Sequence, residues 1–210
     1  MLTDEVPQWL RWAREIQALT QSGLAFSEND YQRERYQRLS DIAAEVMASH
    51  TLHPVETYKQ LFLIQPGYAT PKVDVRGAAF QNGKLLLVRE AIDSGWCLPG
   101  GWADVGEIPS KMVEREVLEE SGFEVKARKV IGVYDANRGG IPLAAYHAYK
   151  VIMLCEIIGG EARPSKETTG VAFFGPDEIP EPLSTARTSR AQITDAFAHL
   201  SDPLRPAAFD

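Results

Sequence analysis

Four glutamates fall within one short stretch of this chain: Glu114, Glu116, Glu119 and Glu120, with Arg115 among them. Pro109 and Ser110 open a helix there, since proline is tolerated in a first turn, and Gly122 closes it where a left-handed backbone is needed. On a 3.6-residue period Glu116, Glu119 and Glu120 share one face. Val113, Val117 and Leu118 occupy the neighbouring arc, which can face a core. Carboxylates crowded on one face repel each other, so the isolated helix gains nothing from them. A divalent cation offers the compensation, and magnesium or manganese favours hard oxygen ligands. Taken alone, the cluster reads as a solvated acidic helix face.

The full spacing overturns that plain reading. Gly101 is followed after five residues by Glu107, and after seven more by Arg115-Glu116-Val117-x-Glu119-Glu120-x-Gly122-Phe123. This resembles the Nudix box at every fixed position, and the preceding Leu98-Pro99-Gly100 fits the same family. The resemblance implies an α+β fold, the Nudix α/β/α sandwich with a mixed sheet. It also implies a pyrophosphohydrolase acting on a nucleoside diphosphate linked to another moiety. Magnesium or manganese would be held by Glu116 and Glu120, with Glu119 a further ligand or the general base. Gly101 would offer a backbone carbonyl to metal, and Arg115 would orient the carboxylates with Glu107 as its bidentate partner. Gly122 supports the site by ending the helix. Glu167 lies in Lys166-Glu167-Thr168-Thr169, ahead of a strand, where several members of the family carry an additional catalytic or metal-binding glutamate. A solvated loop acid is the alternative there.

The elements that must position these groups begin at Lys72. Val73 to Phe80 is β-rich, Asn82-Gly83 marks a hairpin turn, and Lys84 to Glu90 returns. Arg76 and Lys72 could hold substrate phosphate, because alternate positions share a strand face. Asp74 lies on that face too, so a structural salt bridge is the competing reading. Trp96 to Leu98 leads into the box. Strands are expected over Glu124 to Tyr134, Leu143 to Ile157 and Val171 to Phe174. A last helix is expected over Ser189 to Leu200, capped by Thr188. Residues 72–210 thus form the hydrolase domain. Residues 1–65 read as a separate helical module. In its first helix Trp9, Trp12, Ala13, Ile16 and Leu19 recur at offsets of three and four, and Ser22-Gly23 ends it. A second helix starts at Asn29 or Asp30 and a short third fills Val55 to Leu63. Residues 65–71 read as a linker.

The chain of 210 residues has a net charge of −7, which argues against non-specific binding to nucleic acid or to an anionic membrane surface. Residues 1–65 hold six Lys+Arg and nine Asp+Glu, the wrong sign for a nucleic-acid footprint. No apolar run reaches membrane-spanning length and no signal pattern opens the chain. Cys97 and Cys155 have no metal or redox spacing, so free thiols in a reducing cytoplasm are expected. The run WLRWAREIQA at 9–18, Gly23-Leu24, RERY at 33–36, Lys72 to Arg76 and Gly100 to Gly106 resemble a bacterial Nudix subgroup that includes CDP-choline pyrophosphatases. That resemblance implies a homodimer hydrolysing CDP-choline to CMP and phosphocholine, with ADP-ribose as the alternative small-molecule substrate. A nucleotide-sensing regulator is the non-enzymatic alternative. The intact acids of the box count against it.

Overall fold

The computed structural model describes residues 7–63, 67–104, 106–136 and 147–209. They form two compact units, the second beginning at Lys72.

The first unit is built from α1 (Gln8–Phe26), α2 (Asp30–Ser49) and α3 (Val55–Leu63). Leu10, Ala13, Ala44, Met47 and Tyr58 make its core. Asn29 starts α2 as its residue type demands, its side chain accepting the Gln32 N–H at 2.9 Å. Ser22-Gly23 does not end α1, which runs on to Phe26. The reason is packing. A Cβ on Gly23 would lie 2.5 Å from the ring of Tyr36, so the glycine lets α2 close on α1 and offsets its helix cost of about 1 kcal/mol. Gln65 and Pro66 of the expected linker lie outside the described residues.

The second unit is a mixed sheet between helices. Its elements are β1 (Lys72–Gln81), β2 (Lys84–Glu90), β3 (Trp96–Cys97), β4 (Gly100–Trp102), α4 (Pro109–Ser121), β5 (Phe123–Asp135), β6 (Ala148–Gly160), β7 (Thr168–Phe174), α5 (Arg190–Ser201) and β8 (Ala208–Phe209). The strand order is β3-β2-β1-β6-β5-β8, with β4 also on β1 and β7 also on β2. β1 runs parallel to β6 and antiparallel to β2 and β4.

Both faces of the central strands are apolar, and the two-residue period sorts them into two cores. Val75 and Ala79 of β1, Leu86 of β2 and Met153 and Cys155 of β6 pack with Met112, Val113 and Val117 of α4. Ala78, Leu85, Leu87 and Ile152 pack with Ile193 and Ala196 of α5. One helix therefore covers each face, the α/β/α arrangement expected. Leu118, by contrast, is 38% exposed. The expected strand over Leu143 to Ile157 is β6 from Ala148 on; residues 143–146 lie outside the described residues. Ser189, not Thr188, caps α5, in a reciprocal capping box with Gln192. Thr188 is spent elsewhere: its hydroxyl accepts the Leu98 N–H at 2.9 Å.

Candidate active site

The box carboxylates sit on α4, and the three that share a face have graded surroundings. The Glu120 side chain is buried, that of Glu116 is largely buried, and that of Glu119 is more than half exposed. Glu120 Oε2 accepts the N–H of Gly100 at 2.9 Å, which ties the start of β4 to the helix. Burial pushes its carboxyl up to about 7, the Arg76 charge and the Gly100 N–H opposing, and Glu90 and Glu116 adding to the rise. Burial also raises Glu116, against the pull of Arg115.

Gly101, next in the chain to the Gly100 that Glu120 holds, lies against Glu116. A Cβ there would meet Glu116 Oε2 at 3.3 Å, so the missing side chain leaves space beside the carboxylate. A buried carboxylate at Gly100, a second at Gly101 and the open glycine backbone make an all-oxygen donor set, which fits a hard divalent cation. Among the described residues no three acidic, histidine or cysteine side chains are arranged to hold a metal ion together. Arg115 explains why. Its guanidinium takes Glu107 in a fork, Nε to Oε1 at 2.9 Å and Nη2 to Oε2 at 2.8 Å. Its Nη1 then reaches Glu119 at 2.9 Å and Glu116 at 3.0 Å. The hydrogen bonds that Arg115 donates to Glu107 hold the guanidinium firmly charged, and Arg115 in turn lowers Glu107. The arginine is thus an internal counter-cation for the acids.

The helix ends at Gly122, whose φ of 80° is left-handed. A Cβ there would sit 2.4 Å from the carbonyl oxygen of Glu161. Glu167 is exposed at the start of β7, and the neighbouring Thr168 hydroxyl donates to the Glu120 carbonyl at 2.8 Å. The loop is therefore held at the C-terminal end of the box helix.

Arg76 is buried rather than presented to solvent. Nε and Nη2 donate to the two oxygens of Asp74 at 2.9 and 3.3 Å, and Nη1 donates to the Leu98 carbonyl at 3.2 Å. Burial works against its charge, but Asp74, Cys97 and Glu120 together hold it up. Lys72, half-buried, stands opposite Ala148 at the start of the strand.

Three participants escaped the sequence reading. Lys150 of β6 faces Asp74 across the strand pair and is fully buried; its Nζ lies 3.5 Å from Asp74 Oδ2 and donates to the carbonyls of Ala186 and Arg187. Burial pushes it down to about 8, with Asp74 opposing. A lysine inside the run YKVIMLCEII was the available signal. Glu90, also buried, accepts from the Cys97 thiol at 3.2 Å and pairs with Arg187 at 3.0 Å. Thr168 is the third.

Residues 71–197 match the profile of the NUDIX domain, and residues 7–62 match a UDP-X-like N-terminal oligomerisation domain of Nudix proteins. A Bacillus subtilis protein, YjhB, provisionally described as an ADP-ribose pyrophosphatase, is 39% identical over 97% of both chains. An ADP-ribose pyrophosphatase structure from Streptococcus suis is 37% identical, with a TM-score of 0.61 over 67% of this chain and 100% of its own. The structure of a UDP-X diphosphatase matches 96% of this chain and 98% of its own, at 28% identity and a TM-score of 0.61. Box spacing, sandwich, profile and relatives agree, and the chain belongs to the Nudix hydrolase family as a pyrophosphohydrolase.

Proposed function

We propose that this protein hydrolyses the diphosphate of ADP-ribose or of a similar nucleoside diphosphate linked to a second moiety, with magnesium or manganese held by Glu116, Glu120 and the carbonyl of Gly101. The observation that carries this reading is the buried Glu120 carboxylate at Gly100 with Glu116 against the neighbouring open Gly101, a place where negative charge is costly without a cation. A bound divalent ion supplies charge neutralisation for phosphate and a lowered pKa for water. The chain's own groups do the rest. Glu119, more exposed than the other two, is free to accept a proton from the attacking water once Arg115 yields its Nη1 contact, and Glu167 is the other candidate for that role. Arg115 keeps Glu107 and so holds its place on the helix. Arg76 takes a supporting role instead of the phosphate-holding one expected from its strand position: through the Leu98 carbonyl it braces the segment that leads to Gly101. Lys72 remains the candidate for substrate phosphate.

ADP-ribose moves ahead of CDP-choline as the leading substrate because a relative matching nearly the full chain, and a solved structure, both carry that description. A pyrimidine diphosphate such as CDP-choline is the second reading, favoured by the UDP-X-like match of residues 7–62. Pocket contacts decide between them, and fold does not. A panel of ADP-ribose, CDP-choline, UDP-glucose and nucleoside triphosphates with magnesium tests the order. The expected result is the highest kcat/KM for ADP-ribose and poor turnover of triphosphates. A panel led by CDP-choline transfers the assignment to the second reading, and one led by a triphosphate rejects both.

A further inference from the structure

A helix leaves its last carbonyls without intrahelical partners, and at the end of α4 one segment supplies two of them. The Arg163 N–H donates to the Ser121 carbonyl at 2.8 Å, and the Thr168 hydroxyl donates to the Glu120 carbonyl at 2.8 Å. Thr168 is 2% exposed, and its Oγ1 also accepts the N–H of Ser165 at 2.9 Å. Ser165 Oγ in turn accepts the N–H of Glu167 at 3.0 Å. The Glu167 carbonyl accepts the N–H of Ala91 at 2.8 Å, next to the buried Glu90.

Glu167 therefore has an exposed carboxylate on a backbone fixed on both sides. A glutamate that only needs solvating gains nothing from such a hold. A carboxylate that must meet a reacting group does, because small misplacements cost rate. The Thr168 hydroxyl is the direct link, since the carbonyl it grips belongs to the residue whose own carboxylate lies buried beside Gly100.

We propose that Thr168 is the positioning residue of Glu167: its hydroxyl locks the loop onto the end of the box helix and fixes the Glu167 carboxylate beside the box carboxylates. The proposal rests on the hydrolase reading above. Thr168→Val keeps the shape and removes the hydroxyl, Thr168→Ser keeps the hydroxyl, and Glu167→Gln removes the charge that is being placed. On the panel substrate with the highest turnover, Thr168→Val lowers kcat about tenfold with KM within about twofold, and Thr168→Ser restores it. Glu167→Gln lowers kcat by about a hundredfold, and adding Thr168→Val to it costs nothing more. In metal-free protein, hydrogen exchange at the Ala91 amide quickens in Thr168→Val and recovers in Thr168→Ser. Should Thr168→Val not fold, Thr168→Cys keeps a side chain of similar size with only a weak donor toward the Glu120 carbonyl, and an intermediate loss of kcat with the same dependence on Glu167 is expected. Losses that multiply in the double variant overturn the proposal, as does full kcat in Glu167→Gln. A wild-type protein inactive on every diphosphate-linked nucleotide overturns the hydrolase reading and this proposal together.

Discussion

Glu120 is a carboxylate kept where it is costly to ionise, and its replacement separates catalysis from stability. Glu120→Gln preserves shape and an acceptor for the Gly100 N–H. Turnover should fall about a thousandfold, equivalent to about 4 kcal/mol of transition-state stabilisation. The metal-free variant should melt no lower than wild type. The pH dependence has a definite sign. The folded carboxyl titrates at about 7 against an ordinary 4.5. Its contribution to stability is then fully present below about 4.5 and lost as pH rises through about 7. Metal-free wild type should lose about 3 kcal/mol relative to Glu120→Gln across that window. Parallel thermal melts from pH 4 to 8 measure it, and magnesium at pH 7 should return the loss only to wild type. At this scale the sequence named the carboxylates by spacing, but not their burial. A strand lysine reads as a polar-face residue, so the role of Lys150 emerged only when β6 brought it opposite Asp74.

At the scale of elements, the box works because α4 has both ends fixed. Gly122→Ala would force a Cβ against the Glu161 carbonyl on a left-handed backbone. It should destabilise by about 2 kcal/mol or more, read as a lowered urea midpoint at unchanged m-value. The strands β1 and β2 were legible because they bury nearly all their apolar residues, and β5 from its β-branched residues. The core of α4 was legible at Val113 and Val117 but not at the buried Met112 or the exposed Leu118. β3 and β4 were not. They are two and three residues long, shorter than any periodic signal, and exist because β2 and β1 offer them hydrogen-bonding edges. The cap of α5 was misread by one residue. Ser189 has glutamine three positions on, whereas Thr188 was drawn off to Leu98, a partner that no local pattern reveals.

The whole molecule raises the question of assembly. On α1, Trp12, Leu19 and Phe26 are 56%, 64% and 71% exposed, and their seven-residue spacing places them on one side. They lie in the segment that matches an oligomerisation domain, and we propose a homodimer that covers them. Sedimentation equilibrium at micromolar concentration should give twice the chain mass of 23.3 kDa, and Leu19→Glu should weaken association at least about tenfold. Among the described residues no helix is long and apolar enough to cross a membrane. The parallel pairing of β1 with β6 has a consequence for how the chain reaches its working form. Lys72 meets Ala148, and the entire box lies between them, so the central pair forms only after a long stretch has been threaded. Non-local pairing of this kind slows folding. The proposed oxygen ligands, carried on β4 and α4, lie inside that stretch, and β4 needs the β1 edge to form. Magnesium should therefore leave the refolding rate unchanged and slow unfolding, moving one arm of the chevron and not the other.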